Sequence, residues 1–160
     1  EWSSGTRTTQ VQANSPDDFA KAIAWFTGAN EAALYFINSA EDVVVVPKVI
    51  FTGLGDARIV DTEFDANADS ISYSMHRVSA NADGSTPLVW TKGLQTDGTW
   101  LADTAQSPWG SDGGHIVYAA GNVEFYSQIE EGDFRDPTGQ ATANINEVFG
   151  DPTRILEVSQ

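Results

Sequence analysis

Apolar and polar residues alternate most regularly in two short segments that flank Gly121. Residues 115–119 read His-Ile-Val-Tyr-Ala and residues 122–126 read Asn-Val-Glu-Phe-Tyr. Both segments are rich in the β-branched and aromatic side chains that suit a half-buried strand. Ala120, Gly121 and Asn122 can supply the positive φ angles of a two-residue turn. A β-hairpin is therefore predicted here.

Other parts of the chain also have the composition of strands. In residues 70–78, Ile71, Tyr73 and Met75 would share one face, which turns the side chain of His76 outward to the surface. Three more segments are predicted to be extended: residues 43–46, which Pro47 interrupts, residues 87–91, and residues 155–158, which could close a sheet edge.

A helix is predicted to begin at Ser15 and to end before Gly28. Ser15 is a favoured N-cap residue, and Pro16 suits the first helical position. The two carboxylates that follow lie at the positive end of the helix dipole. Gly28 is a typical C-cap residue. The apolar residues of this helix recur at helical spacing and would form its buried stripe: Phe19, Ile23 and Phe26.

Three segments give shorter or more ambiguous signals. Residues 30–38 fit either a short second helix or a strand, and so few residues leave both readings open. Residues 52–69 are acidic and loop-like, apart from residues 57–60. Residues 145–149 are predicted to form one helical turn that Gly150 ends.

The chain is long enough to form a core without a metal ion or a disulfide. It has 160 residues, within the range of one domain. Residues 1–14 are polar and lack periodicity, so they are interpreted as a tether, with a short strand around residues 8–12 as the alternative, and residues 15–160 as a single domain. One helix followed by strands joined by hairpins predicts an α+β fold, in which the N-terminal helix packs on an antiparallel β-sheet.

Composition narrows the range of partners. Eight Lys and Arg against 23 Asp and Glu give a formal charge of −15, which would repel nucleic acids and anionic lipid surfaces. The chain has no Cys, so disulfides, thiol chemistry and Cys-ligated zinc are excluded. No apolar run approaches the ~20 residues that span a bilayer. We expect no nucleic acid partner.

Candidate catalytic residues are few. The chain has two His residues, and neither has an acid–base partner at a recognisable spacing. His115 opens a predicted strand directly after a Gly-rich loop, so its expected role is to fix that loop through a hydrogen bond. The glycines near Ser111 do not have the spacing of a Gly-x-Ser-x-Gly nucleophile elbow, because Trp109 stands where the first Gly would be. We therefore expect no enzymatic activity.

One acidic segment deserves comparison with calcium-binding loops. Asp65, Asn67 and Asp69 place oxygen atoms at alternate positions, as the first part of an EF-hand loop does. Ser70 stands where the required Gly would be, and His76 stands where the closing Glu would be. An acidic turn is therefore favoured. No cofactor is expected, and calcium is a possibility that the pattern does not favour.

Three tryptophans lie within twenty residues of one another: Trp90, Trp100 and Trp109. If they are buried, they would anchor a long loop that has few other apolar residues. If they are exposed and coplanar, they could stack against sugar rings. Anchoring is the favoured interpretation, and a secreted carbohydrate-binding module is the alternative from a different functional class.

Residues 86–128 also carry a family resemblance. Gly-Thr-Trp, Ser-Pro with following glycines, Gly-Gly-His-Ile-Val-Tyr, and Gly-Asn-Val-Glu-Phe-Tyr together resemble the C-terminal part of pseudopilin-like proteins. These are prepilin-type subunits of bacterial type II secretion systems. The chain departs from the family pattern at two positions, because Ala120 replaces the expected Asp and Asn122 replaces the expected second His.

The resemblance implies a pilin-like globular domain of a structural, non-catalytic subunit. Such a subunit would lie in the periplasm, held at the inner membrane by an N-terminal apolar helix missing from this chain. It would assemble with other pseudopilins and the secretion machinery into a filament that supports export across the outer membrane. A minor pilin of a type IV pilus is a close alternative. Some major pseudopilins bind calcium in a C-terminal loop, and Asp97, Asp103 and Asp112 lie in the comparable region.

Overall fold

The computed structural model describes residues 14–36, 46–76, 82–150 and 155–156. Its α-helices and strands, in chain order, are α1 (Pro16–Thr27), β1 (Phe51–Thr52), β2 (Ile59–Val60), α2 (Thr62–Ala66), β3 (Tyr73–His76), β4 (Pro87–Thr91), β5 (Gly114–Tyr118), β6 (Val123–Tyr126), β7 (Phe134–Arg135), β8 (Ala141–Thr142), α3 (Ile145–Val148) and β9 (Ile155–Leu156). Short 3₁₀ helices lie at Ala32–Tyr35, Gly55–Ala57, Ala68–Ser70 and Gly110–Asp112. The protein is an α+β protein with antiparallel sheets.

Both ends of α1 are confirmed. The Ser15 side chain accepts a hydrogen bond from the Asp18 N–H at 3.3 Å, and Pro16 begins the helix. Gly28 has a φ of 78° and donates its N–H to the Ala24 carbonyl at 3.1 Å. These caps satisfy backbone groups that the helix itself leaves unpaired.

The predicted apolar stripe of α1 is wrong at its last position. Phe26 is 60% exposed, whereas Ala20 and Ala24 are fully buried. The two alanines have short side chains, so the helix can approach the core closely with the alanine face. They pack with larger buried residues from the following segment: Ile50, Phe51, Phe64 and Ile71.

Residues 52–69, predicted to be a loop apart from residues 57–60, contain more secondary structure than that prediction. β1 and β2 form a two-stranded antiparallel sheet, and α2 follows it. The Asp61 carboxylate begins α2 by accepting the N–H groups of Glu63 and Phe64 at 2.9 and 3.2 Å. Phe64 is fully buried in the core beside α1. A single buried aromatic residue in a short helix leaves too little periodicity to detect.

The structure describes parts of the ambiguous segment 30–38 and of the predicted strand at residues 43–46. Ala32–Tyr35 forms a 3₁₀ helix, which favours the helical reading of that region. Val49 pairs with Glu31 in an isolated antiparallel bridge. Residues 43–45 of the predicted strand lie outside the described residues, and Val46 is not in a strand.

The larger sheet has the strand order β6-β5-β4-β3-β9, with all neighbours antiparallel. The predicted strand at Pro87–Thr91 is confirmed as β4. In the segment predicted as residues 70–78, β3 covers Tyr73–His76, and residues 77–81 lie outside the described part. β9 pairs with β3 and closes this edge of the described sheet, as predicted.

The β5–β6 hairpin is confirmed, but its turn is longer than predicted. Tyr118 and Asn122 close the loop, because the Tyr118 N–H donates to the Asn122 carbonyl at 3.0 Å. The loop therefore contains Ala119, Ala120 and Gly121. Gly121 has a φ of 88°, whereas no described residue other than Gly has a positive φ. This is the three-residue hairpin loop in which a final Gly adopts the left-handed conformation.

One face of the larger sheet is covered by the C-terminal part of the chain. Buried Trp90 and Ile116 from the sheet pack with residues that follow β6 and with Trp100 from the preceding loop, and the later residues are Ile129, Phe134 and Ile145. On the opposite face, Phe19 of α1 and Val89 of β4 pack against Met75. In the described ranges, no helix is long and apolar enough to cross a membrane.

Candidate functional site

The long loop between β4 and β5 is folded back on itself by backbone hydrogen bonds. The Gln95 N–H donates to the Thr99 carbonyl at 2.7 Å, and the Leu101 N–H donates to the Gly93 carbonyl at 2.9 Å. The Ile129 N–H, which follows β6, donates to the Gly98 carbonyl at 2.8 Å. The loop is therefore tied both to itself and to the chain beyond the hairpin.

The Gly113–Gly114 pair allows this loop to approach the hairpin closely. A Cβ atom on Gly114 would lie 2.6 Å from Cε2 of Trp100, well inside any normal contact distance. Gly113 has a φ of 127°, and a Cβ atom there would lie 2.8 Å from the Cα of Ser127. Both positions require Gly because the Trp100 ring and the chain leaving β6 occupy the space of a side chain.

The three tryptophans are not a flat, exposed platform. Trp90 is 1% exposed and Trp100 is 3% exposed, so both belong to the core. Trp109 is half-buried, and the edge of its ring system meets the rings of His115 and Phe125 at centroid distances of 4.8 and 6.4 Å. This arrangement agrees with loop anchoring and leaves one tryptophan at the surface.

His115 contacts the loop through its ring. The ring lies edge-on to Trp109 and also to Phe125, whose centroid is 5.0 Å away. Its backbone N–H donates to the Thr91 hydroxyl at 3.0 Å. Within the described part of the chain, no side chain hydrogen-bonds to the His115 ring, so the predicted hydrogen bond from this side chain into the loop is replaced by aromatic packing.

His76 is not the surface residue that the alternation predicted. Its ring stacks on Phe149 with a centroid distance of 3.4 Å and an interplanar angle of 11°, and both ring nitrogens are buried. Phe149 also lies 6.0 Å from the Trp90 ring. The outward face of β3 is covered by residues just after α3, a contact that no local pattern near His76 could indicate.

Several of the candidate calcium ligands have other partners. The Asp65 carboxylate lies 3.5 Å from the Lys21 ammonium, and the Asn67 amide donates to the Glu63 carbonyl at 2.8 Å. Asp97 accepts hydrogen bonds from the Thr99 N–H and hydroxyl at 3.0 and 2.6 Å. These bonds hold the pKa of Asp97 below its ordinary value. Among the described residues, no group of three or more acidic or His side chains could hold a metal ion.

A network of hydroxyl groups fixes Glu124 on β6. The Tyr126 hydroxyl donates to the Glu124 carboxylate at 2.6 Å, and the Tyr118 hydroxyl lies 2.8 Å from that of Tyr126. The Asn122 amide donates to the other Glu124 oxygen at 2.8 Å. Burial and the hydrogen bond to Glu124 raise the pKa of Tyr126, so its hydroxyl remains a donor. The network holds the Glu124 side chain in one position.

The most distinctive surface is the outer strand of this hairpin. Val123 and Phe125 are 57% and 51% exposed, and they lie on the face of β6 that meets His115 and Trp109. We call these four residues the β6 apolar surface. The sequence pattern does not identify this surface, because the alternation that places Val123 and Phe125 on one face of the strand predicts that this face is buried. Such a surface could be recognised from large apolar residues at alternate positions of a strand that lies at the edge of a sheet.

These features define a class of protein. It is an α+β protein in which the long loop between β4 and β5 packs against the β5–β6 hairpin, and the outer strand of that hairpin exposes large apolar side chains. Comparison with protein-family models, with curated proteins and with solved structures found no match for this chain.

Proposed function

We propose that this chain is the globular part of a structural, non-catalytic filament subunit that resembles the pseudopilins of type II secretion. The proposal rests on the structural roles of residues in segment 86–128, which resembles pseudopilins. Gly113 and Gly114 make room for neighbouring groups, Trp100 fills the core, and His115 packs on Trp109. Because these residues pack against one another and against the core, they suit a structural scaffold better than a reactive pocket.

The proposal extends to the parts of the system that lie outside this chain. The full-length protein carries an apolar N-terminal helix that anchors it in the bacterial inner membrane, with this pilin-like domain in the periplasm. Its partners are other pseudopilin subunits and the secretion machinery. The filament they form supports protein export across the outer membrane. A minor pilin of a type IV pilus is the neighbouring possibility.

The carbohydrate-binding alternative has less support. A platform for sugar rings needs aromatic faces that solvent can reach. Trp90 and Trp100 are buried, so Trp109 alone of the three could contribute one.

Deleting the gene in the bacterium that carries it tests the proposal. We expect proteins normally exported by the type II system to accumulate in the periplasm, and we expect the full-length protein to fractionate with the inner membrane. Restoring the intact gene should restore export, whereas a copy lacking the coding region upstream of residue 1 should not. Normal export in the deletion strain, with loss of pili instead, would support the type IV alternative. A full-length protein released into the medium, with export and piliation unchanged, would overturn the proposal.

A further inference from the structure

Strand β6 has a free edge in the described sheet. It is the terminal strand in the order β6-β5-β4-β3-β9, and it pairs on one side with β5. Such an edge presents backbone N–H and C=O groups in the spacing that another extended chain needs.

The hairpin register shows which residues present those groups. Tyr118 and Asn122 form a hydrogen-bonded pair at the loop, so the pairs alternate from there. Glu124 and Tyr126 direct their backbone groups toward β5, whereas Val123 and Phe125 direct theirs outward. A hydrogen bond on the other side of β5 agrees with this alternation. His115 is the partner of Phe125, and its backbone N–H donates to the Thr91 hydroxyl of β4, so it faces away from β6.

The usual protections of an edge strand are weak here. β6 contains no Pro or Lys, and its one charged residue, Glu124, projects from the opposite face to Val123 and Phe125. The two residues with outward backbone groups are the same two that expose large apolar side chains. An added strand would therefore gain hydrogen bonds and apolar contact from the same positions.

Charge indicates the chemistry of the strand that would bind. Residues 93–134 contain no Lys or Arg, but they contain seven Asp or Glu residues, one of which is Glu124 on the edge itself. A second copy of this chain would bring the same negative charge to the contact. A basic segment would instead complement it.

We propose that β6 binds an extended, basic segment of a partner protein as an added antiparallel strand. Apolar side chains of that segment lie beside Val123 and Phe125, and a Lys or Arg between them faces Glu124. The proposal does not depend on the filament function, because it rests on the backbone register, the exposure and the charge of this edge.

A synthetic eight-residue peptide in which lysine alternates with valine or phenylalanine is the probe. Isothermal titration calorimetry at several salt concentrations measures its affinity. Two control peptides have the same composition with the lysines grouped at one end, or glutamate in place of lysine. We expect the alternating lysine peptide to bind at least tenfold more tightly than either control.

Protein variants distinguish binding of the peptide at the β6 edge from its general attraction to a negatively charged surface. Phe125→Thr keeps a strand-forming residue and should weaken binding about tenfold, and Glu124→Gln should weaken it several-fold. Leu54→Thr, at an 88% exposed position outside this sheet, and Glu131→Gln, within the same acidic stretch, should leave the affinity unchanged. Equal effects of Glu124→Gln and Glu131→Gln would overturn the proposal.

Amide hydrogen exchange followed by NMR tests the added strand directly. On peptide binding, the N–H groups of Val123 and Phe125 should gain protection, whereas that of Glu124 already faces β5 and should change little. Binding without this pattern would overturn the proposal. Concentration-dependent dimerisation that protects the same two N–H groups without peptide, and that Phe125→Thr abolishes, would also overturn it and assign the edge to a second copy of the chain.

Discussion

Gly114 carries no side chain because the indole ring of Trp100 occupies the space that a Cβ atom would need. The ring in turn belongs to the buried cluster that includes Trp90 and Ile116. Its indole N–H is buried and has no hydrogen-bond partner among the described residues, so apolar packing against the chain compensates for an unsatisfied donor. The Gly-Gly-His sequence is thus explained by contact distances.

Gly114→Ala tests this explanation. The added methyl group should force Trp100 to move, at a cost of about 1–3 kcal/mol in the free energy of unfolding, as overpacked core positions typically show. Urea denaturation monitored by tryptophan fluorescence measures the change. Gly84→Ala is the control, because its nearest new neighbour would be the Ala120 Cβ at 3.3 Å, and it should cost less than ~1 kcal/mol. A loss for Gly114→Ala no greater than for this control would contradict the packing argument.

At the scale of elements, sequence reasoning succeeded where the determinants are local. Ser15, Pro16 and Gly28 define the ends of α1 through contacts within a few residues of each end. Strand β4 and the β5–β6 hairpin were likewise recoverable from composition and alternation. His76 was misjudged because Phe149, more than seventy positions later, covers its ring. A pattern within one strand carries no information about which distant segment packs on it.

A contact between residues that are far apart in the sequence joins α1 to the β1–β2 hairpin. The Arg58 guanidinium lies 4.1 Å from the Trp25 ring centroid, and it donates hydrogen bonds to the carbonyls of Ala24 and Trp25 at 3.5 and 3.3 Å. A cation at a helix C-terminus also complements the helix dipole. Arg58 therefore holds the end of α1 against the small sheet.

Arg58→Met should lower the free energy of unfolding by about 1–2 kcal/mol, because it removes a cation–π contact and charged hydrogen bonds while it keeps an apolar chain. Arg58→Lys should give an intermediate loss, since an ammonium cannot stack as a planar guanidinium does. Lys48→Met removes an exposed basic side chain nearby in the sequence and should have little effect. Chemical denaturation measures all three, and equal stability of the Arg58 and Lys48 variants would exclude this role.

At the scale of the whole molecule, many carboxylates stabilise turns. Asp83, Asp97 and Asp136 each accept hydrogen bonds from the Ser or Thr two residues later, and these bonds lower their pKa values. Asp17, in the first turn of α1, also has a lowered pKa: burial would raise it, but hydrogen bonds from Lys21 and Ser15 outweigh burial. The strong negative charge is therefore partly a by-product of turn formation.

Stability should consequently fall in acid. A carboxyl group with a lowered pKa in the folded state contributes stability above its unfolded pKa, and the contribution disappears as pH falls through the folded pKa. Asp136→Asn should destabilise the protein at pH 7, and its difference from wild type should shrink below the ordinary Asp value of 3.8. Asp56→Asn, at an exposed position, serves as the control. Urea midpoints between pH 7 and 3 measure both, and a difference for Asp136→Asn that is independent of pH would contradict the assignment.

Removal of divalent cations should leave the protein unchanged. The carboxylates of Asp97 and Asp103 already accept backbone N–H groups at 3.0 Å each, and Asp65 faces Lys21. We expect the Tm to be the same with EDTA and with added calcium, measured by circular dichroism. A rise of several degrees in calcium that EDTA reverses would instead indicate a bound ion.

The two main hydrophobic clusters have a consequence for how the chain is made. Buried residues of the first cluster lie between Ala20 and Ile71, and those of the second lie between Trp90 and Ile145. Along the described chain, the first cluster is thus complete before the second begins. As the polypeptide leaves the ribosome, its leading half can collapse around Phe64 while the trailing half is still being translated.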